Sequence, residues 1–294
     1  MNEISAQLVR SLRQRTGLGM MECKKALVDA NGDIDTAEQA LRIKSGVKAN
    51  KLAGRIAAEG VIGIWIDQEA KTSALVELNC ETDFVAKNEE FSNFAEQVAK
   101  VVANENFNSV EELADFALDG ENVEKVRQNL IMKLGENISI RRFSKLKAQD
   151  QIACYRHGVK IGVIVDYQGD NPQLGKDLAM QIAASKPIWV SENEIPSEII
   201  AKEKEIYRAR ALESGKPENI VEKIIEGNLK KYFSEVTLLG QPFVKDPDQT
   251  ISNLLQSQKA KVNSFLMYIV GEGIEKKSSD FASEVAATVA SSYK

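Results

Sequence analysis

One histidine, three cysteines and no apolar run near the roughly 20 residues that cross a bilayer narrow the possibilities before any motif is considered. A nucleophile–histidine–acid relay would have to be built around His157 alone, and no GxSxG segment or reactive-cysteine setting accompanies it. Its setting at a strand end favours a surface or interface residue over a general base. Cys23, Cys80 and Cys154 are odd in number, widely spaced and without CxxC or CxxH companions, which argues against a disulfide framework or a zinc site. Cys80 and Cys154 lie on strand-like runs and read as small apolar fillers. No basic stretch followed by an apolar core opens the chain, so no signal peptide is visible. The expectation is a soluble, cytoplasmic protein with no membrane contact.

Phosphate-binding glycine patterns are missing as well. Gly158-Val159-Lys160-Ile161-Gly162 reads as part of a strand, not as a strand-to-helix loop, and Gly271-Glu272-Gly273 lacks a third glycine. The acidic residues show no calcium-loop spacing. A net charge of −5 disfavours broad binding to nucleic acid, because neutralising many phosphates needs a basic surface. Arg141-Arg142 is the strongest basic pair, and strict strand alternation would turn only one of the two outward. No cofactor and no metal are expected.

What is present is an ordinary globular composition, 43% apolar and 28% charged, over 294 residues, enough for two or more packed units. Residues 1–45 read as three short helices. Ile4, Leu8 and Leu12 share one face, Thr16-Gly17-Leu18-Gly19 breaks the first helix and Asn31-Gly32 the second. Asp33 caps a third helix with Ile34, Ala37 and Leu41 inward, which Gly46 is expected to end. A basic stretch over 48–55 then reads as a linker, either a solvated connector or a phosphate-tracking segment.

From Glu59 the period changes to two. Residues 60–67 and 73–78 form an expected hairpin, followed by helices built on Phe91, Phe94, Val98 and Val102 and on Val123, Val126, Leu130 and Leu134, the latter stopped by Gly135. Ile138 and Ile140 open another strand. Residues 59–67 resemble 157–166, which suggests two related α+β halves, each with a small antiparallel sheet and a closing helix and strand (251–258 and 262–270 in the second). The second half is interrupted by 197–214 and 218–233, an expected antiparallel helical hairpin with Ser214-Gly215-Lys216-Pro217 at its turn. Ile220, Val221, Ile224, Ile225 and Leu229 offer it more apolar surface than one partner helix covers. Residues 278–290 suggest a terminal helix with Phe281, Val285 and Val289 inward.

The strand-to-helix junction Asn79-Cys80-Glu81-Thr82-Asp83-Phe84-Val85-Ala86-Lys87-Asn88 carries an aromatic beside an acid where a polar turn would serve. Phe84 is either folded back as a plug or presented to something. Leu18, Met20 and Met21 at a glycine-rich helix entry, and Leu134-Gly135 at a helix end, are further apolar residues in polar settings. Met21 and Leu134 also have an ordinary core reading. Together they suggest a protein that grips another at separated points.

Two long segments carry a resemblance. Leu12-Arg13-Gln14-Arg15-Thr16-Gly17-Leu18-Gly19-Met20-Met21-Glu22-Cys23-Lys24-Lys25-Ala26-Leu27 and Glu77-Leu78-Asn79-Cys80 continuing through Asn88 resemble the signatures of the bacterial elongation factor Ts family. Gly135-Glu136-Asn137-Ile138-Ser139-Ile140-Arg141-Arg142, Ala183-Ala184-Ser185-Lys186-Pro187, Ser214-Gly215-Lys216-Pro217, Gly240-Gln241-Pro242-Phe243-Val244 and Val270-Gly271-Glu272-Gly273-Ile274-Glu275-Lys276 support it in the same order, nearly end to end. Leu18 stands where a smaller residue is common, and Glu22 where aspartate is usual.

The resemblance implies an α+β chain. It comprises a ubiquitin-associated-like three-helix domain with linker (1–55), a core of two subdomains (56–148, and 149–188 with 234–276), an inserted coiled-coil hairpin (189–233) and a C-terminal helical module (277–294). It further implies a guanine nucleotide exchange factor, not an enzyme of covalent chemistry, whose partner is the GTPase elongation factor Tu. Thr82, Asp83, Phe84 and Val85 would disturb the partner's magnesium site, with Leu12, Met20, Met21, Leu134, Gly135 and His157 as further contacts. The hairpin would dimerise, join a 2:2 complex or serve elsewhere. Two rival readings stand beside this one: a nucleic-acid or ribosome-binding protein resting on the basic linker and Arg141-Arg142, and an enzyme using His157.

Overall fold

The computed structural model describes residues 4–118, 120–214 and 217–275; the expected helix over 278–290 lies outside them. The N-terminal helices are α1 (Ala6–Thr16), α2 (Met20–Asp29) and α3 (Ile34–Leu52). Ser5 and Asp33 cap α1 and α3 by accepting backbone N–H groups of Leu8 and Thr36, and Gly17 ends α1 in the left-handed conformation. Leu12, Leu18, Cys23, Leu27, Ala37 and Leu41 form their shared core. Leu18, expected at an exposed entry, is therefore a core residue.

Gly46 does not end α3. The helix continues through it to Leu52, and a Cβ at Gly46 would lie 3.4 Å from the Gln128 side chain of α7 (Val123–Leu134). The basic stretch read as a linker is thus mostly helix, with Ala49 and Leu52 buried in the next core and Lys48 donating to the Met132 carbonyl at 2.9 Å. Met132 in turn fills the core of the three-helix bundle. A bundle of some forty residues has little core of its own, and α7 supplies part of it.

Two three-stranded antiparallel sheets follow. The first pairs β1 (Glu59–Asp67), β2 (Thr72–Cys80) and β5 (Ser139–Lys147) in the order β1-β2-β5; the second pairs β6 (Gln151–His157), β7 (Ile161–Gln168) and β10 (Lys261–Ile269) in the order β10-β7-β6. Strand alternation sorts their side chains. Val61, Val76 and Leu78 face the helix α5 (Glu89–Asn104), while Ile62 and Leu75 join Ile164, Ile152 and Val270 of the second sheet in a separate core. Val163 and Val165 face α8 (Pro172–Ser185) on the far side. The layers run helix, sheet, sheet, helix, so β2 has both faces covered and every residue in it is buried. Close approach needs glycine at two points: a Cβ on Gly63 would sit 2.3 Å from the Ala95 carbonyl oxygen, and one on Gly162 2.4 Å from Ile62.

The two halves are related, but one strand out of step with the sequence repeat. By sheet order β1 corresponds to β6 and β2 to β7, whereas the similar segments pair β1 with β7. The shared Ile-Gly pattern reflects close packing in both strands, not equivalent places. Gly158-Val159-Lys160 is accordingly the turn between β6 and β7, not strand interior.

Short elements fill the connections: α4 (Asp83–Ala86), α6 (Val110–Ala114), the ribbon β3 (Ala117–Leu118) with β4 (Glu121–Asn122), β8 (Pro242–Phe243) with β9 (Asp246–Thr250), and α11 (Ile251–Ser257). The inserted hairpin is α9 (Ser197–Glu213) and α10 (Glu218–Val236), closed at its base by a bridge between Trp189 and Thr237. Ala211, Val221, Ile225 and Leu229 bury each other between the two helices, with Ile224 half-covered against them and Ile206, Leu212 and Ile220 exposed. Among the described residues no helix is long and apolar enough to cross a membrane.

Strand alternation fails at Arg141-Arg142. A bulge in β5 sets both arginines opposite Glu77 of β2, so neither is turned away from it. Glu77 is completely buried and accepts from Arg142 Nε at 2.6 Å, Gly271 N at 2.7 Å, Arg141 Nη1 at 3.0 Å and Asn79 Nδ2 at 3.3 Å. The Arg142 guanidinium also lies over the Tyr268 ring, 4.2 Å from its centre. Replacing Glu77 by alanine removes the acceptor common to four donors, leaving Arg141 without a carboxylate and Arg142 with only the exposed Glu272. The expected loss is about 3–5 kcal/mol, read as a lower urea midpoint of Glu77→Ala against wild type.

The cysteines divide. Cys23 and Cys80 are buried, as a filler should be, but Cys154 is exposed on the outer side of β6, contrary to the filler reading. Burial above all, with the Glu136 and Glu59 carboxylates nearby, pushes the Cys80 thiol up to about 12. Desolvation also raises the Cys154 thiol, so titration of the native protein with a thiol reagent should show one accessible equivalent, Cys154, reacting faster as pH rises, and release the other two only on denaturation.

Candidate partner-docking element

The junction after β2 folds into the single helical turn α4. Thr82 caps it, its hydroxyl accepting from Val85 N at 3.4 Å, and Asn88 caps α5 immediately afterwards by accepting from Glu90 N and Phe91 N. One turn places neighbouring side chains about 100° apart, so Val85 and Ala86 face the core while Phe84 cannot. Phe84 is 82% exposed, the largest exposure of any big apolar side chain described. The alternative of a plug folded back is thereby settled: the ring is presented. Beside it Asp83 pairs with Lys87 at 2.7 Å, and that hydrogen-bonded ammonium holds the carboxyl below its usual range, with Lys160 of the β6–β7 turn acting in the same sense.

The base of α4 is held by an exchange of carboxylates with the segment that follows α7. Gly135 ends α7 in the left-handed conformation, its N–H donating to the Ile131 carbonyl, and this turns Glu136 back toward β2. Glu136 accepts from the backbone N–H groups of Glu81 and Thr82 at 3.0 Å each and from the Thr82 hydroxyl at 2.6 Å. Glu81 returns the favour to Asn137 N at 2.7 Å and pairs with Arg55 at 3.4 Å. Asn137 donates its amide to the carbonyls of Ala53 and Arg55, just past α3. Three separate segments therefore meet at one polar joint under Phe84.

The other expected contact residues fall into distinct settings. Met20 and Met21 are 59% and 77% exposed at the start of α2. Gly135 is exposed, whereas Leu134 is half-buried against the first core. His157 is exposed at the end of β6 with Nδ1 3.1 Å from the Tyr155 hydroxyl. Two residues have little or no surface to offer a partner: Leu12 is fully buried in the bundle core, because its four-residue spacing from Leu8 also points it inward, and Val85 anchors α4 from below. Sequence reasoning did not single out Glu81, Glu136, Asn137 or Lys160; exposed-looking acids and amides in loops give no signal of what lies opposite them. Among the described residues no group of three or more histidine, cysteine or acidic side chains is placed to hold a metal.

A family model described as elongation factor TS matches residues 81–272, beginning within the junction itself. Elongation factor Ts of Nitrosospira multiformis is 58% identical over 293 residues, covering 98% of this chain and 97% of that protein. The Nitrosomonas eutropha protein of the same name is 57% identical, covering 99% and 100%, and that of Chromobacterium violaceum 56%, covering 98% and 99%. Identity above half along nearly the whole length, together with the family match over the core, shows that this chain belongs to the elongation factor Ts family.

Proposed function

We propose that the protein is the guanine nucleotide exchange factor of elongation factor Tu, and that it releases GDP by inserting Phe84 and Asp83 beside the partner's magnesium and phosphate site. The observation that carries the reading is the 82% exposure of Phe84 on a turn whose flanking residues are capped and buried. An exposed ring held by a rigid base loses little freedom when it is buried in a partner, so its burial counts almost fully toward binding. Bound GDP is held by a phosphate loop and a magnesium ion. An aromatic driven between helices of the partner displaces the segment that orders the ion, and Asp83 competes for polar groups around it.

An acceleration of about 10,000-fold requires the release barrier to fall by roughly 5.5 kcal/mol. One side chain does not supply that, so further anchors are needed; Met20 and Met21 on the N-terminal bundle and His157 on the β6–β7 hairpin extend the contact. The exchange needs no covalent step. Against the nucleic-acid reading stands the bulge in β5: the strongest basic pair, Arg141-Arg142, is engaged by the buried Glu77.

Release of labelled GDP from elongation factor Tu, followed against concentration of this protein, tests the reading. Phe84→Ala should leave the unfolding free energy within about 0.5 kcal/mol of wild type, since the ring is largely exposed, and should lower the maximal release rate at least tenfold. Met21→Ala should chiefly raise the half-saturating concentration. Equal release with and without the wild-type protein overturns the reading; full activity of Phe84→Ala removes the inserted-aromatic mechanism.

A further inference from the structure

We infer that Glu136 is a positioning residue for exchange: its carboxylate fixes the turn that aims Phe84, without itself meeting the partner's nucleotide site. The inference rests on the exchange reading above and goes beyond it by naming what holds the inserting element in place.

Three observations carry it. First, α4 is a single turn, too short to be stable alone. The two backbone N–H groups entering it, of Glu81 and Thr82, both end on Glu136 Oε2, so one side chain supplies both acceptors. Second, the other oxygen, Oε1, accepts from the Thr82 hydroxyl at 2.6 Å, which orients the hydroxyl whose lone pair caps Val85 N. The cap of α4 and its anchor are therefore in series. Third, the joint is reciprocal: Glu81 accepts from Asn137 N, the residue after Glu136. Each segment thus fixes the backbone of the other, and Asn137 ties both to the end of α3.

The consequence is geometric. With Glu136 removed, the Glu81 and Thr82 N–H groups lose their acceptor and the Thr82 hydroxyl its anchor, so the entry to the turn loosens while Val85 and Ala86 still hold its far end in the core. Phe84 would remain exposed but no longer fixed in direction. Insertion demands direction, and a misplacement of about 1 Å in a preorganised element costs on the order of 100-fold in rate. The Glu136 carboxylate bonds to Glu81 and Thr82 and not to Met20, Met21 or His157, so initial binding through those residues does not depend on it directly.

The test separates aim from fold and from affinity. In full-length Glu136→Ala, the maximal rate of GDP release from elongation factor Tu should fall about 10- to 100-fold, with the half-saturating concentration changed less than about threefold. Hydrogen exchange of the Glu81 and Thr82 amides in the free protein should accelerate, with the amides of α5 unchanged. Glu136→Gln should recover most of the rate, because its carboxamide oxygen can accept both N–H groups while its NH2 donates to the Thr82 hydroxyl, which can reverse its role. If Glu136→Ala does not fold, Glu136→Asp takes its place: it keeps the charge but withdraws the carboxylate by one bond, about 1.5 Å, and should show the same loss. A wild-type maximal rate in a folded Glu136→Ala or Glu136→Asp overturns the inference, as does a defect confined to half-saturation or no recovery in Glu136→Gln. Failure of the wild-type protein to release GDP at all overturns the exchange reading instead, and the amide-exchange result then still reports on the joint.

Discussion

A buried carboxylate organises this molecule. Glu77 sits in the middle of a strand covered on both faces, where an unpaired charge would be untenable, and its four donors come from three different parts of the chain. Arg141 and Arg142 reach it because β5 bulges, Asn79 because it lies two residues along the same strand, and Gly271 because the chain turns there on leaving β10. At Gly271 the φ of +73° and the Ala58 carbonyl 2.4 Å from any added Cβ leave room only for glycine. One side chain thereby fixes the register between β2 and β5 and the seat of the second sheet's last strand. An apolar residue at this position would pack, but nothing would then compel the bulge or the turn.

That fixed centre is what makes the docking element stiff. Asn79 donates to Glu77 and also to the Glu59 carbonyl, so the last residues of β2 are held on both sides before the chain enters the turn. Cys80 follows, buried, its thiol 3.1 Å from the Thr82 carbonyl. The path from the core to Phe84 contains no residue without a constraint. If Phe84 inserts into the partner as proposed, the double-sheet body stands behind it and the cost of ordering a loop on binding is small.

How much of this the sequence disclosed depends on how far each signal reaches along the chain. Helices α1, α2, α5 and α7, the β1–β2 hairpin, the inserted hairpin and the unusual setting of Phe84 are legible because each rests on periodicity, caps or composition within about twenty residues. The length of α3 is not: Gly46 is a stop signal in isolation, and only the approach of α7, some eighty residues later, makes a glycine useful inside that helix. Leu12 reads as a contact only through the family resemblance, although its spacing from Leu8 marks it as core, where it lies. The sequence repeat aligns β1 with β7 because both need glycine for close approach, β1 to helix α5 and β7 to Ile62 of the facing sheet. The Glu136–Thr82 joint and the Glu77 centre link residues more than fifty apart, and polar pairing at that range leaves no pattern in a single chain.

Rigidity also bears on how such a protein can act in both directions. Linkage requires that nucleotide weaken the factor's binding by the same ratio as the factor weakens nucleotide binding. A flexible surface would follow the partner into either state and discriminate poorly, because its contacts could be remade at small cost. A body in which Phe84 is fixed to the sheets, and the methionine-bearing bundle is completed by Met132 of α7, presents its anchors at set spacings. On the proposed function, a partner state that fits these anchors together is favoured over one that does not. The difference in free energy between the two partner states is then set by misfit, which scales with stiffness, and not by total contact area. On that reading, modest exposed anchors on a stiff frame suffice to discriminate between the partner's two states.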